Sequence, residues 1–177
     1  TDSCYALGCQ LDDKDAAERL RKIRKFDRHH QFTLVSRDLS QIATYARIDN
    51  WQFRLLKQVT PGPYTFVLAA TKELPRRIAH DKRKTIGIRI PDHVIAQSLL
   101  ETLGEPIISC TLAFPGEDDA VADPEEWREQ LDRAVDVVIL GGHCGLEPTT
   151  VVDLSGATPE LLRKGKGAIE PLGLPED

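Results

Sequence analysis

Apolar residues recur at helical spacing soon after the start of the chain. Ala16, Leu20 and Ile23 follow Asp12 and Asp13 at i, i+4 and i+7, which predicts an amphipathic helix capped by an aspartate and running to about Lys25. Phe32-Thr33-Leu34-Val35 is short, apolar and partly β-branched and predicts a buried strand. Leu39, Ile42, Ala43 and Ala46 give a second helical stripe, and Asn50 is placed to cap a third helix that ends before Pro61. After the Pro61-Gly62-Pro63 breaker, Tyr64 to Ala70 reads as a strand. From Thr85 to Pro91, Ile86, Ile88 and Ile90 alternate with Gly87 and Arg89, which puts Arg89 on the exposed side of a strand. Asp92 is expected to open a helix with Ile95, Leu99 and Leu103 inward and Gly104 as its C-terminal cap. Pro106 to Ala113 reads as a strand that Phe114-Pro115-Gly116 ends. Asp123-Pro124 then opens a helix with Trp127, Leu131 and Ala134 inward. Val135 to Leu140 and Thr149 to Leu154 complete the strands. Strands and helices interleave without strict alternation, so the fold class expected is α/β: a single domain over residues 1–177 with a twisted, open, mixed sheet and helices packed on it.

Composition narrows this little. The chain has 177 residues, 41% of them hydrophobic and 29% charged, as in an ordinary globular domain with a sizeable core. No apolar run approaches membrane-spanning length, and nothing at the start reads as a signal peptide, so a cytoplasmic protein without membrane partners is expected. The absence of methionine, even at position 1, suggests that residues precede Thr1. Four cysteines, Cys4, Cys9, Cys110 and Cys144, lack the paired spacing of a zinc site and read as free thiols.

Charge changes the picture more. The formal net charge is −5, yet the charges are sorted. Arg19, Arg21, Lys22, Arg24, Lys25, Arg28 and Arg37 form one basic segment; Lys72, Arg76, Arg77, Lys82, Arg83, Lys84 and Arg89 form another. The acids concentrate between Glu117 and Asp136, where helix capping and a solvated face account for much of them. Converging basic segments make an anion-binding face on an acidic molecule; diverging ones make two solvated surfaces.

The glycine-rich run Gly141-Gly142-His143-Cys144-Gly145 lacks the lysine and hydroxyl of a P-loop and the spacing of a dinucleotide fold, and reads as a tight connection. Arginines, lysines and threonines recur without an acid-base couple, at Thr1, Lys22, Arg24, Thr85, Arg89, Thr111, Thr149 and Arg163. Cations and hydroxyls suit a site that positions phosphates and carboxylates rather than one built on covalent catalysis.

Five ordered motifs, TDSCYALGC (Thr1 to Cys9), RKIRKF (Arg21 to Phe26), TPGPYTFVL (Thr60 to Leu68), TIGIRIP (Thr85 to Pro91) and PTTVVDL (Pro148 to Leu154), resemble the YrdC-like proteins and, within them, the YciO branch. The resemblance implies a helix and strand upstream of Thr1 and a basic concave cavity. It also implies a reaction, the condensation of L-threonine, bicarbonate and ATP into threonylcarbamoyl-adenylate for the modification of tRNA, and the chemistry of ATP adds Mg²⁺ as counter-ion of its phosphates. Carried over by position, Lys22 and Arg24 match the phosphate-neutralising KxR pair and Arg89 the arginine on the threonine carboxylate. Thr1 matches a substrate contact, Thr85 and Thr149 pocket hydroxyls, and Arg163 a nucleotide-side arginine. The family's SxN falls on Thr111-Leu112-Ala113 and a family histidine on Ser36; Ala113 offers no side-chain hydrogen bond, which weakens or redirects nucleotide binding. The alternatives are hydrolysis of the adenylate, and a non-catalytic protein that binds double-stranded RNA or tRNA through Arg21, Lys22, Arg24, Lys25 and Arg28.

Overall fold

The computed structural model describes residues 1–26, 30–113, 121 and 123–174. Arg28, Phe114 to Gly116 and the acids Glu117, Asp118 and Asp119 lie outside the described residues.

Seven strands form one open sheet: β1 (Ala6–Gln10), β2 (Thr33–Val35), β3 (Tyr64–Ala69), β4 (Thr85–Arg89), β5 (Ile107–Thr111), β6 (Thr150–Asp153) and β7 (Glu160–Arg163). Their spatial order is β1-β5-β2-β4-β3-β6-β7. The β2–β4 and β3–β6 pairs are parallel and the rest antiparallel, so the sheet is mixed, as the irregular interleaving of elements predicts.

Among the described residues five α-helices accompany the sheet: α1 (Lys14–Arg24), α2 (Leu39–Tyr45), α3 (Asn50–Val59), α4 (Val94–Leu103) and α5 (Arg128–Ala134). The Asp13 carboxylate accepts from Ala16 N at 2.8 Å and caps α1. Asp38 does the same for α2 through Gln41 N. Helix α3 is capped by Asp49 rather than Asn50: Asp49 N donates to Gln52 Oε1 at 2.6 Å, closing a capping box in which Asn50 is already helical. Likewise α4 begins after His93 and not at Asp92, and Asp92 N instead ties this turn to the Asp2 carboxylate at 2.8 Å. Gly104 supplies the left-handed cap at φ 71°. Pro124–Trp127 forms a 3₁₀ turn ahead of α5, so one predicted helix is split in two.

One sheet face holds the core. Leu34, Phe66, Leu68, Ile86, Ile88, Ile108 and Val152 are wholly buried there with Ala17 and Leu20 of α1, Ile42 of α2 and Leu56 of α3. Three expectations fail on packing. Ile95, Leu99 and Leu103 of α4 line a cleft, while Leu100 is the helix's buried residue. Val135 to Leu140 is not a strand; it pairs with no strand of the sheet, Val137 stays 73% exposed, and Val135, Val138 and Ile139 border the cleft instead. Arg89 is 7% exposed rather than solvated, because β4 is central in the sheet and the Thr1–Ser3 segment lies across it.

Candidate functional site

Strand register places the site. Thr33 is opposite both Gly87 and Ser109, and Gly87 is opposite Val67. With period-two alternation, Thr33, Thr65, Thr85, Gly87, Arg89, Ser109 and Thr111 share the face opposite the core. A Cβ built on Gly87 would stand 3.4 Å from Thr65 Cγ2 and 3.7 Å from Thr33 Oγ1, so glycine keeps this hydroxyl-bearing floor low. The one strand residue that both motif and alternation single out, Arg89, rises from it.

Around Arg89 the chain builds a polar corner. Its Nη2 donates to Ser3 Oγ at 2.9 Å and to Thr1 Oγ1 at 3.1 Å, and pairs with Asp2 Oδ1. Thr1 Oγ1 donates in turn to Cys4 O at 2.7 Å, and Lys166 Nζ reaches Asp2 O. Arg89 Nε is cut off from water and has no hydrogen-bond partner. A buried guanidinium edge without an acceptor costs stability unless a ligand satisfies it. Behind it, Ser36 N donates to Arg89 O at 2.9 Å, and the wholly buried Ser36 hydroxyl has no partner either.

A second group lies at the β3–β6 end of the floor. Thr149 Oγ1 stands 2.8 Å from Thr65 Oγ1, and Arg163 donates to Thr149 O at 2.9 and 3.1 Å and to Thr149 Oγ1 at 3.2 Å. Burial pushes the Arg163 pKa below its ordinary value. The two groups are joined by Gly165-Lys166-Gly167. A Cβ at Gly165 would fall 2.3 Å from Pro148 O, and one at Gly167 2.4 Å from the Tyr64 ring. Only glycines let this segment lie flat on the Pro148–Thr149 backbone and send Lys166 back to Asp2. Thr150 Oγ1 secures it, accepting from Gly165 N at 3.0 Å and donating to Gly167 O at 2.5 Å.

The structure thus brings together Thr1 and Arg89, and separately Thr149 and Arg163. Thr85 is buried on the same face, and Thr111 is exposed at the end of β5. Lys22 and Arg24 stand apart on the last turn of α1. Lys22 is exposed, while the Arg24 guanidinium lies 4.7 Å from the Phe26 ring centre with its Nε buried and unpartnered. Arg21 covers the Phe32 ring at 4.6 Å and donates to His30 O at 2.9 Å. The motif reading does not single out Asp2, Ser3, Thr33, Thr65, Ser109, Thr150 and Lys166, since their placement comes from strand register and chain reversal; the Gly-Lys-Gly triplet is the local signal that could have found Lys166.

The Arg89 corner opens into a cleft of about 790 Å³ that follows β1, α1, α4 and the Val135–Gly145 segment. Most of its lining is apolar. Its cations Arg19, Arg89 and Lys166 are matched by the carboxylates Asp2, Asp13 and Asp136, with Arg19 and Asp136 bridged. Each basic segment of the sequence sends one residue here, Arg19 and Arg89. The Gly141–Gly145 loop forms part of the wall, held where Tyr5 Oη accepts from Gly141 N at 3.0 Å and donates to Gly142 O. No group of three or more His, Cys, Asp or Glu suited to a metal occurs among the described residues, and no helix of the described residues is long and apolar enough to cross a membrane.

The geometry has relatives. The crystal structure of E. coli YciO superposes with a TM-score of 0.91 at 52% identity, covering 97% of this chain and 84% of that one. The P. abyssi Sua5 structure complexed with L-threonine superposes with a TM-score of 0.84 at 27% identity, covering 93% of this chain and 48% of Sua5. The threonylcarbamoyl-AMP synthase of Neisseria gonorrhoeae is 29% identical over 164 residues, covering 92% of this chain and 85% of the synthase. The Sua5/YciO/YrdC family profile, described as "Telomere recombination", matches residues 1–165. On sequence and fold together, the chain belongs to the Sua5/YciO/YrdC family.

Proposed function

We propose that this protein binds L-threonine and the phosphates of ATP or an adenylate on the hydroxyl-bearing face of its sheet, and that it carries out chemistry related to the formation of threonylcarbamoyl-AMP for tRNA modification. The observation that carries the reading is Arg89: a nearly buried guanidinium on the strand floor whose Nε lacks an acceptor. A planar, permanently charged fork in that state suits a carboxylate better than a point charge would. A Sua5 relative has been crystallised with L-threonine, which supports an amino acid as the owner of that carboxylate. The hydroxyls of Thr65 and Thr149, with Arg163 and Lys166, offer donors to phosphate. Mg²⁺ enters with the nucleotide as counter-ion of its phosphates.

Ala113 is buried and offers no side-chain donor, so nucleotide affinity falls below that of a site with a polar residue there. Hydrolysis of the adenylate uses the same pocket and bicarbonate-independent chemistry. Pyrophosphate release from ATP, measured with and without L-threonine and bicarbonate, tests synthesis, and AMP release from supplied threonylcarbamoyl-adenylate tests hydrolysis. Pyrophosphate release that needs both, and is lost in Arg89→Lys, supports synthesis; threonine-independent release or none contradicts it.

A second reading has its own observation. Lys22 on the last turn of α1 and Lys25 at its C-cap are exposed, while Arg21 and Arg24 are pinned on Phe32 and Phe26 beside them. Such a turn suits the phosphates of double-stranded RNA or tRNA.

A further inference from the structure

The Arg89 corner is rich in donors, and its acceptors are already engaged. Both Asp2 oxygens are engaged, one by Arg89 and one by Asp92 N. The Thr1 hydroxyl proton goes to Cys4 O, Ser3 Oγ faces Arg89, and the Asp2 carbonyl takes Lys166. An α-amino acid held here by its carboxylate brings an ammonium group that needs an acceptor of its own. Besides Arg89 Nε and the Ser36 hydroxyl behind the strand, one more buried polar atom here has no partner among the described residues. His93 lines the cleft beside Thr1, Asp2 and Arg89, and its Nδ1 is a buried atom with no hydrogen-bond partner. Although His93 is the N-cap residue of α4, its side chain makes no capping bond, so helix ends do not account for that nitrogen. Burial holds the imidazole below its ordinary pKa, with the Thr1 ammonium and Arg89 acting in the same direction and Asp2 and Asp92 against them. A neutral imidazole keeps a lone pair on one ring nitrogen.

We propose that His93 Nδ1 accepts a hydrogen bond from the α-ammonium of the amino acid whose carboxylate Arg89 takes, making His93 a specificity residue that distinguishes amino acids from simple hydroxy acids. This rests on the amino-acid reading of the Arg89 corner. Calorimetric titration with L-threonine and with (R)-3-hydroxybutanoate, which keeps the carboxylate and hydroxyl and lacks the amine, tests it. In the unaltered protein threonine binds about tenfold more tightly, the worth of one buried hydrogen bond to a charged group. In His93→Phe the preference shrinks to less than about twofold, because only threonine affinity drops. His93→Asn, whose amide oxygen can take the place of Nδ1, restores most of it. Thermal melting confirms that each variant is folded, and His93→Gln, which does not reach the Nδ1 position, serves as a second loss variant. A threonine preference that persists in both His93→Phe and His93→Gln overturns the role of His93 and leaves the amino-acid reading standing. Failure of the unaltered protein to bind threonine overturns that reading and this one with it.

Discussion

Arg89 carries two burdens, because its buried charge is matched inside the fold by the Asp2 carboxylate. Removing one partner of such a pair leaves an uncompensated charge, so Arg89→Ala is expected to lower stability by about 3 kcal/mol in urea unfolding. Asp2→Asn combined with Arg89→Gln should recover part of that loss, since neither side chain is then charged. Cys110 gives a second residue-scale expectation. Burial raises its thiol to about 12 and that of Cys9 to about 11. A group whose folded pKa lies above its unfolded value favours the fold below the unfolded pKa and loses that contribution as pH rises through the folded one. Stability should therefore decline from about pH 9 towards pH 12, and Cys110→Ala should remove about one proton from that slope. A slope unchanged in Cys110→Ala contradicts the assignment.

At the scale of elements, Gln52 ties α3 to the sheet. Its Oε1 accepts from Asp49 N and its Nε2 donates to Leu154 O, both at 2.6 Å. Gln52→Ala should cost about 2 kcal/mol by leaving the buried Leu154 carbonyl without its donor and opening the capping box, read as a lower urea midpoint. Gly165→Ala should cost about 1 to 3 kcal/mol, because its Cβ meets backbone rather than a movable side chain; it should also weaken threonine binding by moving Lys166. The elements legible in the sequence were those with a complete local signal: α1 with Asp13 and its stripe, α4 with Gly104, and β3 and β4 with their alternation. Strand β1 was legible in principle from the alternation of Leu7 and Cys9 but is short, with a glycine at its centre, and β7 is a short, mostly exposed edge. The Val135–Leu140 run has the composition of a strand and lacks a partner, which periodicity cannot report. Arg89 was identifiable by its motif, while its burial was not: the covering Thr1–Ser3 segment is far away in sequence.

For the molecule as a whole, the net charge of −5 conceals a division of labour. Arg19 and Arg89 reach the cleft, while most other cations of the two basic segments remain outside it. If Lys22 and Lys25 hold RNA, binding of a short duplex should weaken steeply between 50 and 200 mM salt, by about tenfold or more, and vanish in Lys22→Glu with Lys25→Glu. Threonine affinity should barely change over that range, because a nearly buried guanidinium is poorly screened. Equal salt dependence for both ligands contradicts this separation.

The central claim is that the Arg89 corner binds an amino-acid carboxylate, and its most direct test is calorimetric titration of L-threonine into the protein and into Arg89→Lys. The account predicts saturable binding to the unaltered protein and affinity at least about tenfold weaker in a variant that remains folded and keeps its positive charge but loses the guanidinium fork. Equal affinity in the two proteins, or no binding to the unaltered one, would contradict it.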